Sequence, residues 1–321
     1  MTEDDPRLLL GYTVSPDRTE RLLAAFAEQD ELPEGAFLTA DTPEESLALL
    51  PEADGVVGWQ FPEEWFEHAD GLSWVQSLSA GVDFLPVERF EQEGIMLTSA
   101  AGVHAEPIAE QVLAYVLNFE RGLVETARHQ QRGVWERPNG GEVRGKTLGV
   151  IGTGAIGSRV AQLGSALGME TLGTKRDTSE VPDGVDELLP ADEYHELLGR
   201  SDYVVLACPL TDETEGMIAR PEFRLMGEDA VLVNIARGGV VDQSALVRAL
   251  QYRSIRGAAL DVFEEEPLPQ ESPLWDLSNV IVTPHMAGTS PHQPERIAEI
   301  LAENYRAFAA GDHESMINRV L

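Results

Sequence analysis

The stretch GVIGTGAIGSRVAQLGSALGMETLGTKRD, residues 149–177, decides the fold of this chain. Its apolar start completes a predicted strand at 147–151, and three glycines follow directly. A helical pattern comes next, and a second predicted strand spans 170–174. Strand, glycine turn, helix and strand within about 30 residues are typical of a βαβ unit, which predicts a parallel sheet.

The three glycines have separate expected tasks. Gly152 permits a tight turn, Gly154 lets the backbone approach a pyrophosphate, and Gly157 lets helix and strand pack closely. Backbone amides near Ala155 and Ile156, at the helix start, would face the anion. We interpret the loop as a dinucleotide site rather than a structural turn, because the elements around it stand in the required order.

Two cations follow the second strand. An acid near this point usually binds the ribose 2′-hydroxyl of NAD, whereas positive charge accommodates the 2′-phosphate of NADP. Lys175 and Arg176 stand at the strand's end, and an arginine fork can grip two phosphate oxygens. NADP(H) is therefore the expected cofactor. NAD(H) stays possible, because Asp177 lies 20 residues after Gly157 and could be the ribose acid, with the cations in a solvated turn.

Acidic residues dominate the composition. The chain has 56 Asp and Glu against 23 Lys and Arg, a formal charge of −33, and its two lysines are Lys146 and Lys175. Such a surface repels nucleic acid and anionic membranes, so neither is expected as a partner. Few lysines and dispersed acids resemble proteins from halophiles, where strong screening tolerates the repulsion. A merely acidic mesophilic enzyme is the alternative.

Composition also limits the class of protein. The 43% hydrophobic fraction can fill real cores, and no apolar run reaches the roughly 18 residues of a membrane span. The acidic start MTEDDPRLLL lacks the positive charge of a signal peptide, so a cytoplasmic protein is expected. The single cysteine, Cys208, and the spacing of the histidines predict no metal site.

Two series of elements divide the 321 residues. In the first, strands are predicted at 7–14, 54–59, 72–78 and 95–100, with a helix at 16–29. One long helix is predicted at 107–130. In the second series, strands are predicted at 147–151, 170–174, 203–207, 230–235, 257–262 and 279–282. Six strands with crossovers predict a doubly wound dinucleotide domain, and the helical tail at 291–310 is expected to pack back on the first domain.

Charged residues follow three strands of the second series. Arg237 ends one strand, Asp261 ends the next with Glu266 shortly after it, and His285 ends the last. Ligands bind beyond the carboxyl ends of strands in an open α/β sheet. Reduction of a 2-keto acid adds a hydride to carbon and a proton to oxygen, and a histidine can supply that proton near neutral pH. A guanidinium can bind a carboxylate bidentately, and a nearby carboxylate such as that of Glu266 can orient the imidazole.

The motifs together resemble the D-isomer-specific 2-hydroxyacid dehydrogenase family. The resemblance covers the glycine fingerprint, LSAGVDFL, LACPLTDET, NIARGGVVDQSAL, ALDVFEEEPLP and VTPHMAG. It implies an α/β protein of two doubly wound parallel-sheet domains, a Rossmann cofactor domain inserted in a flavodoxin-like substrate domain, with a cleft between them. The implied boundaries are 1–98 with 289–321 for the substrate domain and 99–288 for the cofactor domain.

The resemblance also implies roles for individual residues. Arg237 would hold the substrate carboxylate, His285 would be the acid/base, and Glu266 would pair with His285. Asp261 would touch the nicotinamide carboxamide. Further cofactor contacts are expected at Cys208, Pro209 and Thr214. Substrate contacts are expected at Ser79, Ala80 and Gly81, and at Trp59, for which core packing is the alternative.

The expected function is an NADP(H)-preferring interconversion of 2-keto acids and D-2-hydroxy acids. A homodimer through the cofactor domain is expected from the family. An NAD-preferring glyoxylate or hydroxypyruvate reductase stays open, and so does a phosphoglycerate dehydrogenase, although no regulatory tail is seen. A non-catalytic dinucleotide sensor, like the corepressors that share this fold, is the alternative from another class.

Overall fold

The computed structural model describes residues 5–29, 33, 35–82 and 84–321. The chain divides into two compact units, which we call the first unit (Met1–His104 with Ser290–Leu321) and the second unit (Ala105–Thr289). The chain thus changes units at 104/105 and 289/290, where the sequence predicts 98/99 and 288/289. The assignment of substrate to one unit and cofactor to the other stays a prediction.

The described residues form the following elements. The strands are β1 (Leu8–Leu10), β2 (Phe37–Thr39), β3 (Gly55–Gly58), β4 (Trp74–Ser77), β5 (Met96–Thr98), β6 (Thr147–Ile151), β7 (Glu170–Lys175), β8 (Glu187–Pro190), β9 (Tyr203–Leu206), β10 (Val231–Asn234), β11 (Gly257–Leu260) and β12 (Val280–Val282). The helices are α1 (Pro16–Ala27), α2 (Pro43–Leu49), α3 (Val87–Glu93), α4 (Ala105–Arg121), α5 (Leu123–Gln131), α6 (Ala155–Ala166), α7 (Tyr194–Arg200), α8 (Arg220–Leu225), α9 (Gln243–Gln251) and α10 (Gln293–Ala309).

The first unit contains a five-stranded parallel sheet in the order β2-β1-β3-β4-β5. This is the flavodoxin-like order expected from the resemblance. The strand β2 was not predicted from the sequence. It is a three-residue edge strand, and its two apolar residues, Phe37 and Leu38, are too few to mark a strand.

The tail joins the first unit through its last helix. Ile297, Leu301 and Tyr305 of α10 enter the apolar core that contains Leu8 and Leu10 of β1. The Asn304 amide donates to the Gln76 side chain at 2.9 Å, and the Tyr305 hydroxyl donates to the Pro6 carbonyl at 2.9 Å. The expected return of the tail to the first domain is therefore present.

The second unit contains a seven-stranded parallel sheet in the order β12-β11-β10-β9-β6-β7-β8. Strand order reverses between β6 and β9, which is the switch point where doubly wound sheets bind ligands. The predicted count of six strands is wrong, because β8 adds a seventh at the edge. Its sequence ELLP carries a charge and a proline, which are features of an edge strand and hide the apolar signal.

The predicted single helix at 107–130 is also wrong. It divides into α4 and α5 at Gly122, whose φ of 59° lies in the left-handed region that glycine enters without strain. A Cβ at Gly122 would also lie 2.8 Å from the Pro138 side chain. The α4 part is the apolar one, whereas no residue of α5 is buried.

An ion cluster lies at the amino ends of the second sheet. Glu120, near the end of α4, is 2% exposed, and its Oε1 accepts a hydrogen bond from Arg256 Nη1 at 2.7 Å and another from the Tyr203 hydroxyl. Lys146 Nζ lies 3.8 Å from the same oxygen. Arg256, Lys146 and Tyr203 stand at the starts of β11, β6 and β9. The cluster, which we call the Glu120 cluster, ties α4 to three strands.

Candidate active site

The glycine loop joins β6 to α6 at the switch point of the second sheet. Gly152 has a φ of 94°, and a Cβ there would lie 2.9 Å from the backbone of Cys208. A Cβ at Gly157 would lie 2.1 Å from the Gly152 carbonyl oxygen. Only glycine fits these two positions. The loop that follows β6 can therefore pack closely against the loop that follows β9.

Gly154 differs from the other two glycines. A Cβ at this position would meet nothing within 4 Å, so the backbone borders open space. Gly154 precedes α6 and offers no capping side chain to the amides of Ala155 and Ile156 at the helix start. Backbone N–H groups at a helix start that faces open space suit an anion. These residues fit the pyrophosphate of a dinucleotide.

The end of β7 supports the glycine loop. Thr174 is buried, its hydroxyl oxygen accepts from the Gly152 amide at 3.2 Å, and its carbonyl accepts from the Thr153 amide at 2.9 Å. Lys175 is the last residue of β7 and Arg176 follows it. The two cations therefore stand one strand away from the glycine loop, on the same edge of the sheet.

Arg176 borders a cavity of about 670 Å³, whose other lining residues are Thr211, Asp212 and Glu213. Its Nη2 lies 3.4 Å from Glu213 Oε2, and both side chains are exposed. Asp177, the possible ribose acid, accepts from the Ser179 amide at 2.9 Å, and hydrogen bonds from Ser179 lower the pKa of its carboxyl. Arg176, Asp212 and Glu213 thus line the same cavity.

The loop after β9 holds the other expected cofactor residues. Cys208 lies beside Gly152, and burial raises the pKa of its thiol. The Thr214 hydroxyl donates to the Pro209 carbonyl at 2.7 Å and accepts from the Thr211 amide at 2.8 Å. Thr214 therefore fixes the shape of this loop. A contact of these residues with a cofactor stays a prediction.

Three charged side chains follow neighbouring strands of the second sheet. Arg237 lies just after β10, Asp261 directly after β11, and His285 just after β12. These strands are adjacent and parallel, so their carboxyl ends meet at one edge. A Cβ at Gly238 would lie 1.9 Å from the Phe263 carbonyl, so the Arg237 loop packs directly on the segment that leads to Glu266.

Glu266 and His285 form a hydrogen-bonded pair. Glu266 Oε2 lies 2.7 Å from His285 Nδ1, and Oε1 accepts from the Phe263 amide at 3.0 Å. His285 is 56% exposed and Glu266 35%. The carboxylate occupies Nδ1, so Nε2 is the ring nitrogen that can face a substrate.

Arg237 is exposed at the same edge of the sheet as this pair. Its Nη1 donates to the Ala236 carbonyl at 2.8 Å. Asn234, a buried residue at the end of β10, donates to the Arg237 carbonyl at 3.1 Å and accepts from the Ala236 amide at 3.1 Å. The Asn234 amide therefore shapes the turn that presents the guanidinium.

Asp261 is buried, and its carboxylate is engaged within the protein. Oδ1 accepts from the Thr283 hydroxyl at 2.5 Å and the Met286 amide at 3.0 Å, and Oδ2 accepts from the Ala287 amide at 2.9 Å. The expected contact with the nicotinamide stays a prediction. What the structure adds is that Asp261 holds the loop that carries His285.

The expected substrate residues of the first unit follow two of its strands. Ser79, Ala80 and Gly81 follow β4, where the Ser79 amide donates to the Ser77 hydroxyl at 3.1 Å. Asp83 of the same motif lies outside the described residues. Trp59 follows β3, packs partly on the core of this unit, and stacks under the Arg18 guanidinium at 4.7 Å. All four are partly exposed at one edge of the five-stranded sheet.

Sequence reasoning missed several polar residues of the second unit. Thr174, Asn234 and Thr283 support the motif residues Gly152, Arg237 and Asp261, and Tyr115 contacts Thr283. Tyr115 lies 168 residues before Thr283 and was not separable from ordinary core residues. Thr283 and Asn234 do lie within the quoted motifs, so their position beside a charged residue was the available signal.

The described residues contain no group of three or more His, Cys, Asp or Glu side chains that could hold a metal ion. Among the helices they form, none has the length and apolarity required to cross a bilayer.

The second unit has the features of a nicotinamide-dependent oxidoreductase: a glycine loop at the switch point and a hydrogen-bonded histidine and glutamate at the same sheet edge. The description D-isomer specific 2-hydroxyacid dehydrogenase, NAD binding domain, belongs to the family model that matches residues 113–287. The chain belongs to this family, whose members are NAD(P)-dependent oxidoreductases. The predicted family, fold and enzyme class are thereby confirmed.

Relatives of several activities resemble the chain. It is 40% identical over 258 residues to a glyoxylate reductase of Korarchaeum cryptofilum, covering 78% of this chain and 76% of that one. It is 35% identical over 298 residues to a D-3-phosphoglycerate dehydrogenase of Methanocaldococcus jannaschii. That alignment covers 90% of this chain but 56% of the relative's length.

Among solved structures, the fold is similar to a D-isomer specific 2-hydroxyacid dehydrogenase from Xanthobacter autotrophicus Py2 in complex with NADPH and MES. The TM-score is 0.84 at 30% identity, and the match covers 99% of this chain and 98% of that one.

Proposed function

We propose that this chain is an NADP(H)-preferring enzyme that interconverts small 2-keto acids, such as glyoxylate, and the corresponding D-2-hydroxy acids. The observation that carries the proposal is the 2.7 Å contact between His285 Nδ1 and Glu266 Oε2, at the sheet edge that Arg237 shares. The 40% identity to a glyoxylate reductase supports the substrate class. In this proposal the first unit binds substrate and the second binds cofactor.

The three side chains divide the chemistry. The glycine loop at 152–157 would hold a reduced nicotinamide dinucleotide, which when bound would supply the hydride for the carbonyl carbon. His285 donates a proton from Nε2 to the carbonyl oxygen, and in the reverse direction it accepts one. Glu266 fixes the ring through Nδ1 and stabilises the imidazolium. Arg237 binds the substrate carboxylate and stabilises charge on the carbonyl oxygen, an effect worth about 10²–10³ in rate per donor.

Cofactor preference is the second part of the proposal. Lys175 and Arg176 are the cations that would receive a 2′-phosphate, and the NADPH complex of a structural relative supports this choice. Asp177 is the competing ribose acid. Its carboxylate accepts from the Ser179 amide, which favours a structural task for it.

Turnover is tested with NADPH and a panel of glyoxylate, hydroxypyruvate, pyruvate and 3-phosphohydroxypyruvate. Loss of absorbance at 340 nm that depends on the keto acid is expected, with glyoxylate among the substrates. Arg237→Gln serves as the variant with an impaired site, and Arg200→Gln, far along the chain in α7, as its matched control. Binding of NADPH without turnover of any keto acid would instead support a dinucleotide sensor.

The preference is tested by exchanging both cations, in the double variant Lys175→Glu and Arg176→Glu. The dissociation constant for NADPH should rise far more than that for NADH, because only NADPH brings a 2′-phosphate to the new acids. Fluorescence titration of each coenzyme measures both constants. An equal loss for the two coenzymes would contradict the 2′-phosphate assignment.

A homodimer through the second unit completes the proposal. Among the described residues, Trp135 is 97% exposed and Leu123 54%, and both belong to the α5 region. A tryptophan that is almost fully exposed supports an interface in this region, because tryptophan is enriched at protein–protein interfaces. Sedimentation at micromolar concentration should give a dimer, and Trp135→Glu should shift it to a monomer, whereas Trp275→Glu, another exposed tryptophan, should not.

The composition motivates a salt requirement. With a net charge of −33, the folded chain repels itself in dilute buffer, and molar salt shortens the Debye length to about 3 Å. We expect activity and the thermal midpoint to fall on dialysis from molar KCl to millimolar salt. Full stability in dilute buffer would contradict the halophilic interpretation.

A further inference from the structure

The His285 loop has an unusual backbone. His285 has a φ of 50°, in the left-handed region that is unfavourable for a residue with a side chain. Such a conformation persists only where surrounding contacts impose it. The contacts are those of Asp261, whose carbonyl accepts from the His285 amide at 2.9 Å and whose carboxylate accepts from the Met286 and Ala287 amides. One aspartate therefore grips three consecutive amides.

The grip of Asp261 continues into the core through two hydroxyl groups. The Thr283 hydroxyl donates to Asp261 Oδ1 at 2.5 Å, and the Tyr115 hydroxyl lies 2.5 Å from the same threonine oxygen. A threonine hydroxyl can donate one hydrogen bond, and Thr283 donates it to the Asp261 carboxylate. Tyr115 must then donate to Thr283, so the chain runs from Tyr115 to Thr283 to Asp261.

Burial protects the hydrogen bonds that join Tyr115, Thr283 and Asp261 from water. Tyr115 on α4 and Asp261 after β11 are 2% and 3% exposed, so water does not compete for their hydrogen bonds. Burial is the largest cause of a raised pKa for the Tyr115 hydroxyl. The phenol therefore stays protonated, and remains a donor, at neutral pH.

We propose that Tyr115 and Thr283 are positioning residues for His285. They orient the Asp261 carboxylate, and the carboxylate accepts from the amides of Met286 and Ala287, so that the loop keeps the His285 imidazole on Glu266. This rests on the proposed function as far as catalysis is concerned. Through the Tyr115 hydroxyl, helix α4 at the start of the second unit would help to position His285 near the end of that unit.

The first test replaces Tyr115 with Phe, which keeps the ring in the core and removes the donor. Deuterium uptake of a peptide covering residues 283–288 should become about fivefold faster, and kcat about fivefold lower, which is the effect of one buried hydrogen bond. KM for the keto acid and the dissociation constant for NADPH should change less than about twofold, because Tyr115 is 2% exposed and is closed to both ligands. Tyr305→Phe, which removes a buried hydroxyl of the first unit, should alter neither quantity.

The second test separates position from folding. Thr283→Val removes the hydroxyl and should reproduce the faster exchange and the lower kcat, whereas Thr283→Ser keeps it and should restore both. Unaltered exchange in Tyr115→Phe and Thr283→Val, or faster exchange with unaltered kcat, would overturn the assignment. If the parent protein reduces no 2-keto acid, the proposed function fails, yet the exchange data still decide whether the two hydroxyls hold the loop.

Discussion

The seven-stranded sheet carries ion pairs both at the edge formed by the amino ends of its strands, the amino edge, and at the edge formed by their carboxyl ends, the carboxyl edge. At the amino ends, the Glu120 cluster joins a carboxylate to an arginine and a lysine, with the carboxylate 2% exposed. At the carboxyl ends, Glu266 pairs with His285 and Arg176 with Glu213, and all four side chains are at least a third exposed. The two lysines divide likewise, with Lys146 at one edge and Lys175 at the other.

Exposure decides what such a pair can do. A buried pair has no access to a ligand, and loss of one partner leaves an uncompensated charge in the interior. An exposed pair contributes little to stability and can exchange its partner for a ligand. We infer that the amino edge carries stability and the carboxyl edge carries function, and four substitutions test this division.

The largest effect is expected for His285→Gln. Turnover should fall by about 10²–10⁴-fold, the usual contribution of a positioned acid/base, because glutamine cannot transfer the proton. The dissociation constant for NADPH and the thermal midpoint should stay near the parent values. His292→Gln, an exposed histidine on the following segment, is the control. Comparable turnover in His285→Gln would contradict its assignment as the acid/base.

Glu120→Ala tests the opposite edge. We expect the free energy of unfolding to fall by roughly 1–3 kcal/mol, because the buried Tyr203 hydroxyl loses its carboxylate acceptor, whereas Arg256 is 31% exposed and can turn to water. Activity per folded molecule should be unchanged. Urea denaturation followed by fluorescence measures the loss, and Glu187→Ala, the exposed partner of Arg200, should cost less than about 1 kcal/mol. Equal losses of unfolding free energy in Glu120→Ala and Glu187→Ala would contradict the inference that the amino edge carries stability.

The Glu120 effect should depend on pH. Burial opposes ionisation of Glu120, but hydrogen bonds from Tyr203 and Arg256 outweigh it and lower the pKa below its ordinary 4.5. A lowered pKa contributes stability that is present above the unfolded value and is lost as pH falls through the folded value. The difference between parent and Glu120→Ala should therefore be full at neutral pH and shrink below about pH 4.5.

Glu266→Gln should have a smaller effect than the loss of His285. The amide can still orient the ring through Nδ1 but no longer stabilises the imidazolium, so kcat should fall by about tenfold. Steady-state rates with glyoxylate give the value, and Glu265→Gln, the exposed neighbour, is the control. A loss in Glu265→Gln as large as in Glu266→Gln would indicate an effect of net charge alone.

The smallest effect is expected for Glu213→Gln. Removal of the acid frees Arg176 from its exposed pair, so the affinity for NADPH should rise by about twofold to threefold while that for NADH stays constant. Titration at low salt measures both. Glu228→Gln, an exposed acid before β10, should leave both affinities unchanged. Equal gains with NADH would indicate relief of general repulsion instead of a contact with the 2′-phosphate.

Local sequence signals were sufficient for most of the fold. The strands at 147–151 and 203–206 are apolar and central, and the glycine fingerprint fixes what lies between β6 and α6. The edge strands β2 and β8 were missed because each contains only two adjacent apolar residues, which is too short a run to mark a strand. The break at Gly122 was missed because an isolated glycine in a helical pattern is also compatible with an uninterrupted helix.

The site divides in the same way. Arg237, Glu266 and His285 could be named because each lies at a strand end within a motif. The hydroxyl chain of Tyr115 and Thr283 and the Glu120 cluster could not, because they join residues that are far apart in the chain, up to 168 positions for the first pair. Hydrogen-bond partners at such separations are set by packing, and a single sequence carries no record of them.

The return of α10 to the first unit has a consequence for synthesis on the ribosome. Residues 105–289 form a contiguous unit that can fold as soon as it leaves the exit tunnel. In the earlier segment, by contrast, Gln76 and Pro6 accept hydrogen bonds from Asn304 and Tyr305 of α10, which is translated after the whole second unit. The five strands of the amino-terminal sheet therefore emerge without the helix that completes their apolar core, and this core stays open to chaperones until α10 is translated.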